Sequence, residues 1–322
     1  MDVLVTGGHG VVGAQVLHQL VEAGHTITDF GRSVNDLPPL VRDIEADVNF
    51  FQGDITDPID VYDAIATANP DRIIHLSAIR TAACQADPRA GFEVNVTGSI
   101  NLLEAAATHG VERVVASSSL AVYGNRSPDE IETIDESVIR SPANVYGLTK
   151  FVMEEVGAVY QDRSGVEFAA VEPIRGLGPD ATGSYSKDAD ILKAAVAGES
   201  LSVSAEPPME MIYLEDFARA FVDALLADTL SYDRYILGSG EKATLFDIIE
   251  ILRDEYPDAD IEVTDQDEIA TGIEEGLPVT DSTRLKGDLG WAPEHTFEEG
   301  IHKYLDWLRA NPEMWSFDPD DE

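Results

Sequence analysis

Cysteine and lysine are the scarce residues of this sequence. A single cysteine, Cys84, among 322 residues has no partner for an internal disulfide and excludes a multi-cysteine metal site. The seven histidines are scattered, with no H-x-x-x-H or similar spacing, so no metal is expected. Six Lys and fifteen Arg face 61 Asp plus Glu, for a formal charge of −40 at pH 7. That shortage of cations excludes nucleic acid and anionic membranes as partners, since both would repel the chain. No apolar run approaches the ~18 residues of a spanning helix. The sequence enters an apolar strand directly after Met1, so no leader segment is expected. No 20–50-residue repeat and no low-complexity linker divide it.

What is present is the composition of a folded chain. A hydrophobic share of 44% is too high for an acidic disordered protein. The length calls for one large domain or two coupled ones. The acids are spread along the whole sequence, beyond the tail Asp318-Pro319-Asp320-Asp321-Glu322. Spread charge of one sign suits a solvent in which multimolar salt cuts the Debye length to about 3 Å. The expected setting is therefore the cytoplasm of a halophilic cell, with an ordinary acidic protein as the alternative.

Short Val- and Ile-rich runs alternate with helical patterns. Strands are predicted at Val3–Val5, Thr26–Phe30, Val48–Phe51, Arg72–Leu76, Val114–Ser118 and Phe168–Val171, with helices around 11–23, 58–67, 88–108 and 144–162. This rhythm predicts an α/β fold, a Rossmann-type doubly wound parallel sheet. After Pro173 it breaks into Gly- and Pro-rich loops, with further helices at 215–227 and 296–310 and a strand at Tyr235–Leu237. The expected division is a dinucleotide-binding domain over 1–172, to which 210–240 returns, and a smaller substrate lobe from 173–209 and 241–322.

Thr6-Gly7-Gly8-His9-Gly10-Val11-Val12-Gly13 follows the first strand and opens the first helix. Glycines there permit a tight turn, close approach to a pyrophosphate and tight helix-on-strand packing. The free N–H groups of the helix start would hold the anion. At the end of the second strand, an acid selects NAD through the ribose 2′-OH, whereas an Arg suits the 2′-phosphate of NADP. The acid position falls on Gly31, beside Arg32 and Ser33, which favours NADP; the rival reading makes Asp29 the ribose ligand or Arg32 a solvated residue. Asp54, in Gly53-Asp54-Ile55-Thr56-Asp57, suits the adenine edge or a helix cap before Pro58.

Ser117-Ser118-Ser119 ends the fifth apolar strand, and Tyr146-Gly-Leu-Thr-Lys150 opens a helix 27 residues after Ser119. Tyr and Lys four apart share a helix face, and a nearby ammonium favours tyrosinate. Tyr146 could then remove a substrate hydroxyl's proton while Ser119 hydrogen-bonds its oxygen. Together these motifs resemble the extended short-chain dehydrogenase/reductases, specifically the NAD-dependent epimerase/dehydratase family, over nearly the whole chain. His75-Leu76-Ser77-Ala78, Asn95-Val96-Thr97-Gly98, Ile212-Tyr213-Leu214-Glu215-Asp216, Leu237-Gly238-Ser239-Gly240 and Leu289-Gly290-Trp291 match further landmarks. The resemblance implies that Ser119, Tyr146 and Lys150 are catalytic. It places the cofactor against Gly7, Gly10, Val11, Val12, Gly31, Arg32, Ser33, Asp54, Ile55, Leu76, Ser77, Ala78, Asn95, Ser117, Tyr146, Lys150 and Pro173. It also suggests a homodimer formed through the helices at 88–108 and 144–162.

Two departures bear on substrate. Members acting on nucleotide-diphosphate sugars usually carry an Arg before the I-x-x-x-D landmark, where this chain has Pro207-Pro208-Met209-Glu210-Met211. The usual Arg-Pro-x-Asn is here Glu172-Pro173-Ile174-Arg175. Loss of the diphosphate clamp favours a free sugar or sugar acid, facing Ser77, Arg80, Ser119, Leu120, Tyr146 and Arg175. Arg175 would fork onto a carboxylate or vicinal hydroxyls, unless it pairs with Glu172 or another acid. The leading expectation is an NAD(P)-dependent oxidation of a sugar hydroxyl, giving a lactone if the hydroxyl is anomeric. The alternatives are a nucleotide-sugar 4-epimerase with retained NAD and a non-catalytic dinucleotide-binding regulator.

Overall fold

The computed structural model describes residues 1–33, 37–179, 186–264 and 276–315; the acidic tail at 318–322 lies outside them. Fourteen strands are described: β1 Asp2–Thr6, β2 Thr26–Gly31, β3 Val48–Gln52, β4 Arg72–His75, β5 Arg113–Ser117, β6 Thr133–Ile134, β7 Glu167–Pro173, β8 Arg175–Leu177, β9 Leu201–Ser204, β10 Met209–Tyr213, β11 Arg234–Leu237, β12 Lys242–Ala243, β13 Ile261–Thr264 and β14 Val279–Thr280. The helices are α1 Val11–Glu22, α2 Pro39–Asp43, α3 Pro58–Ala68, α4 Thr81–Ala86, α5 Pro88–Phe92, α6 Gly98–His109, α7 Val145–Ser164, α8 Ser186–Ala197, α9 Leu214–Leu226, α10 Leu245–Glu255, α11 Thr283–Leu289 and α12 Phe297–Ala310.

Seven strands form one parallel sheet in the order β11-β7-β5-β4-β1-β2-β3. Successive side chains of a strand point to opposite faces, and here both faces are apolar. Val3, Val5, Ile74 and Val115 join one core with α1 and α9, while Leu4, Ile73, Val114 and Ala116 join the other with α3, α6 and α7. This is the expected doubly wound fold. The order in which strands are added reverses between the parallel neighbours β1 and β4, which opens a crevice at their carboxyl ends, where open α/β sheets bind ligands. A third core, built from α8, α10, α12, β9 and Met211, lies outside the large sheet. There β10 pairs with β8 and β12, whereas β11 adds to the large sheet beside β7.

The helix predicted over 88–108 is divided. α5 and α6 are joined by a π-helical turn at Glu93–Thr97 that carries Asn95. From this turn the Asn95 amide reaches Ile79 in the loop after β4.

Candidate active site

The glycine turn after β1 is held by its own backbone: Gly10 donates to the Gly7 carbonyl at 3.0 Å and Ala14 to the Gly10 carbonyl at 2.9 Å. A Cβ at Gly13 would overlap the Gly7 carbonyl oxygen, so only glycine lets α1 pack this close to the turn. Gly10 caps α1 without a side-chain hydrogen bond, and Gly10, Val11, Val12 and Gly13 line the crevice. A cradle that a side chain would fill, under an uncapped helix start, fits a pyrophosphate.

Asp29 lies beneath this turn. Its carboxylate accepts from the Gly8 N–H at 2.8 Å and sits 3.2 Å from His9 Nε2, and burial pushes it up to about 7. It is buried and absent from the crevice lining, so the structure removes the reading of Asp29 as ribose ligand. Gly31, Arg32 and Ser33 border the end of β2 outside that lining; the Arg32 carbonyl accepts from Gln52, and its guanidinium helps hold the Asp54 carboxyl below the usual range. The main cause of that lowering is the Asp54 turn, in which Oδ1 accepts from the Thr56 N–H at 2.9 Å and its hydroxyl at 2.8 Å. The cap of α3 falls instead to Asp57, which accepts from Ile59 at 2.8 Å. Ile55 is buried, and its carbonyl accepts from Asn101.

Opposite the turn, Leu76, Ala78 and Arg80 line the crevice. The Ser77 N–H is tied to Thr6 Oγ1 at 3.2 Å, and Ser77 lies outside the lining. Asn95 is also outside it. Its Oδ1 accepts from the Ile79 N–H and its Nδ2 donates to the Ile79 carbonyl, both at 2.9 Å, and to Thr149 at 3.0 Å. Asn95 thereby positions the Leu76–Arg80 loop against α7. His75 is held between Thr6 at 2.7 Å and Ser99 at 2.9 Å, and burial drives its pKa down to about 3, so it stands neutral.

The Ser-Tyr-Lys set comes together. Asn144 caps α7 by accepting from Gly147 at 2.8 Å, and a Cβ on Gly147 would overlap the Ala121 carbonyl. The helix start therefore seats directly on the 3-10 turn Leu120–Tyr123. Tyr146, Lys150 and Ser119 all line one crevice of about 1080 Å3 with the glycine turn, Ser117 and Pro173. Ser119 Oγ accepts from the Ala121 N–H at 3.2 Å, which leaves its O–H to donate elsewhere. Lys150 donates to the Ser117 carbonyl at 2.7 Å, with its Nζ 5.7 Å from the Tyr146 ring centroid. Burial lowers its pKa to about 8.

Of the expected substrate residues, Leu120 is buried in a small core with Val122, Tyr123, Ile134 and Ile236. Arg175 lies outside the crevice lining and is bridged to Asp188 at 3.2 Å and Glu206 at 2.9 Å. Glu172 pairs with Arg234 at 3.4 Å and accepts from the Tyr123 hydroxyl at 2.6 Å. Glu210, the added acid before Ile212, is buried and accepts from Thr280 Oγ1 and the Gly240 N–H, each at 2.8 Å; it ties loops together away from the crevice. Sequence reasoning missed one wall of the crevice, Leu37–Pro39 with Arg42, Glu45 and Met314. The start of α2 at Pro38-Pro39 was the available signal, since Pro favours the first helical turn.

Residues 3–238 match the model of the NAD dependent epimerase/dehydratase family. The chain belongs to that family. The UDP-glucose 4-epimerase of Lactobacillus helveticus is 26% identical, over 97% of this chain and 98% of its own length. The dTDP-glucose 4,6-dehydratase of Mycolicibacterium smegmatis is 28% identical, over 98% of this chain and 95% of its own. Among solved structures, the Thermus thermophilus UDP-glucose 4-epimerase in complex with NAD superposes with a TM-score of 0.84 at 25% identity, covering 97% of this chain and 100% of that one. The names of these relatives describe epimerisation or dehydration of sugar nucleotides, the Thermus structure holds NAD, and the family places this chain among NAD-dependent enzymes. No described helix is long and apolar enough to cross a membrane.

Proposed function

We propose that this family member inverts a secondary hydroxyl of a nucleotide-linked hexose, acting as an epimerase with a retained dinucleotide. The observation that carries the proposal is the convergence of Ser119, Tyr146 and Lys150 on the same crevice as the glycine cradle. When bound, the dinucleotide supplies the acceptor for a carbon-bound hydrogen and the donor that returns it. Gly7, Gly10, Val11 and Val12 would hold its pyrophosphate, and Lys150, Ser117 and Pro173 its nicotinamide end. Tyr146 takes the substrate hydroxyl's proton, and Ser119 donates to the same oxygen. The Lys150 ammonium favours the tyrosinate that does this, and the proton comes back from Tyr146 when the carbonyl is reduced.

The full-length match to epimerases and a dehydratase favours this reading over one-way oxidation of a free sugar. Within the pair, epimerisation is favoured by the scarcity of acids. Glu45 is the only carboxylate among the described residues lining the crevice, and the turn after Ser119 is the apolar Leu120-Ala121. Removing water from the sugar needs a further acid–base group beside the reacting carbon; inversion needs only the one that Tyr146 supplies. A crevice of about 1080 Å3 gives the oxidised sugar space to present its other face.

Free-sugar oxidation keeps one supporting feature, that no cation stands at Met209–Met211, whereas Arg175, bridged to two acids, does not speak for it. The deciding assay incubates the protein in multimolar KCl with UDP- and dTDP-hexoses and with free sugars. Interconversion of C4 epimers without net reduced cofactor supports the proposal; steady accumulation of reduced cofactor with free sugars sinks it. NAD is the proposed cofactor, and Gly31, which brings no carboxylate to the ribose edge, would let NADP bind as well. Parallel titrations with the two dinucleotides test this, and refusal of NADP removes the part assigned to the Gly31-Arg32-Ser33 corner. A second copy would pair through α6 and α7, and light scattering checks that.

A further inference from the structure

Four residues beyond Lys150, the same face of α7 carries Glu154, a buried carboxylate that the chemistry above does not use. The Ser118 hydroxyl donates to Glu154 Oε1, and Arg140 donates to Oε2 at 2.5 Å. Both oxygens act as acceptors, one of them from a guanidinium, which is the arrangement of an ionised carboxylate. One turn earlier Lys150 grips the Ser117 carbonyl, and one turn before that stands Tyr146. Two turns of one helix thus bond consecutive residues of one strand end, Lys150 to Ser117 and Glu154 to Ser118, while Tyr146 lines the crevice with Ser119.

The groups around the Lys150 ammonium leave Glu154 as its counter-charge. From β4, His75 is neutral; from α4, the Cys84 thiol is pushed up by burial and stays protonated. Burial itself works against the ammonium, and Glu154 is the largest influence opposing it. Glu154 is balanced in turn by Arg140 and by Arg234 of β11. Burial pushes the Glu154 carboxyl up as well, against the Ser118 and Arg140 hydrogen bonds that favour its charged form, and its acidic neighbour Glu172 of β7 is pushed up to about 8.

We propose that Glu154 is a positioning residue that keeps Lys150 charged beside Tyr146 and holds the Ser117–Ser119 strand end in register. This deepens the proposed function by naming what sustains the charge on which the tyrosinate depends.

The test reads Lys150 directly, through the Nζ signal in protein labelled with 15N-lysine. With six lysines in the chain the spectrum is sparse, and Lys150→Arg identifies the signal. In the wild type Lys150 should titrate near 8. Glu154→Gln should lower that midpoint by about one to two pH units, the size expected of a charge one helix turn away in a partly polar interior. The alkaline limb of kcat/KM should move down by the same amount, a shift that a merely structural role would not produce. Should Glu154→Gln fail to fold, Glu154→Asp draws the charge back by one methylene and gives a smaller downward shift. Ser118→Ala removes one of the two donors to the carboxylate while Arg140 keeps the other, so the Lys150 midpoint should fall by less than in Glu154→Gln. The proposal is overturned if Lys150 is already neutral at pH 7 in the wild type. It is equally overturned if the Glu154 variants leave the midpoint unmoved, or if Ser118→Ala shifts it as far as Glu154→Gln. The titration needs no substrate, so failure to turn over any sugar would sink the epimerase reading and leave this one standing.

Discussion

Replacing Asp29 by Asn should make the protein more stable at neutral and alkaline pH, and the gain should depend on pH in a defined way. Asp29 is buried under the glycine turn, and burial raises its pKa from 3.8 to about 7. The unfolded chain exposes it, so its carboxyl there titrates near the ordinary value. Between these two values the native state binds the proton more tightly than the unfolded state. Stability is therefore highest on the acid side and is lost as pH rises through the folded value. At about 1.4 kcal/mol per pKa unit, the charged carboxylate costs roughly 4 kcal/mol above pH 8. About 2.5 kcal/mol of that develops between pH 5 and pH 8. Asn keeps an oxygen for the Gly8 N–H and has no charge to bury. Urea unfolding of both proteins in the same multimolar KCl, from pH 5 to pH 9, gives the difference curve. The −40 charge of the rest of the chain is common to both proteins and cancels. The Asn variant should gain steadily up to about pH 7 and then level off. A difference that is flat with pH, or that shrinks as pH rises, would refute the assignment of a protonated carboxyl under the turn.

Gly13→Ala forces a Cβ into the Gly7 carbonyl, so dinucleotide binding, followed by fluorescence, should weaken at least tenfold while the fold persists; unchanged affinity would remove the cradle from the cofactor site. Tyr146→Phe should lower kcat by about 100- to 10,000-fold with cofactor affinity within a few-fold of wild type, because the lost group moves a proton and does not carry the dinucleotide's phosphates. Ser119→Ala should act in the same direction with a smaller loss, as it removes one hydrogen bond to the reacting oxygen. Added KCl, from low to multimolar concentration, should raise the melting temperature by screening the surface acids; a flat or falling value would discard the adaptation to salt.

The parts legible in the sequence are those fixed by short-range pattern. Strand positions followed from Val and Ile runs, and the boundaries of β1 to β5 fall within one residue of the expected ones; β1, β4 and β5 centre on fully buried apolar residues, while β2 and β3 were legible despite Thr28, Asp29 and Asn49. The meeting of Ser119, Tyr146 and Lys150 was likewise written in motif and spacing. α10 went unpredicted although its capping box, Thr244 with Asp247, is a local signal that pattern reading can use. Other parts are tertiary and carry no local mark. Nothing in Thr28-Asp29-Phe30 says that the carboxylate turns under Gly8, since that depends on the twist that brings β2 alongside β1. Nothing near Met314 says that it reaches the crevice wall formed by α2. For Arg175 the sequence leaves two readings, a substrate contact or a pairing with an acid, and the acids that bridge it, Asp188 and Glu206, lie 13 and 31 residues away.

The acidic surplus and the site obey different physics, and this separates what salt should and should not change. Surface acids repel through water, where a Debye length of about 3 Å erases their interaction. The buried acids Asp29, Glu154, Glu172 and Asp188 are each met within the protein: by the Gly8 N–H, by Arg140 and Ser118, by Arg234 and Tyr123, and by Arg175. No counterion has to enter for these contacts to persist, so screening acts on them weakly. Salt should accordingly raise the stability of the whole chain while leaving the Lys150 titration nearly where it stands in dilute buffer. If the Lys150 midpoint instead tracked KCl as steeply as the melting temperature does, the ammonium would be answering to the acidic surface, and the pairing with Glu154 would lose its place as the local determinant.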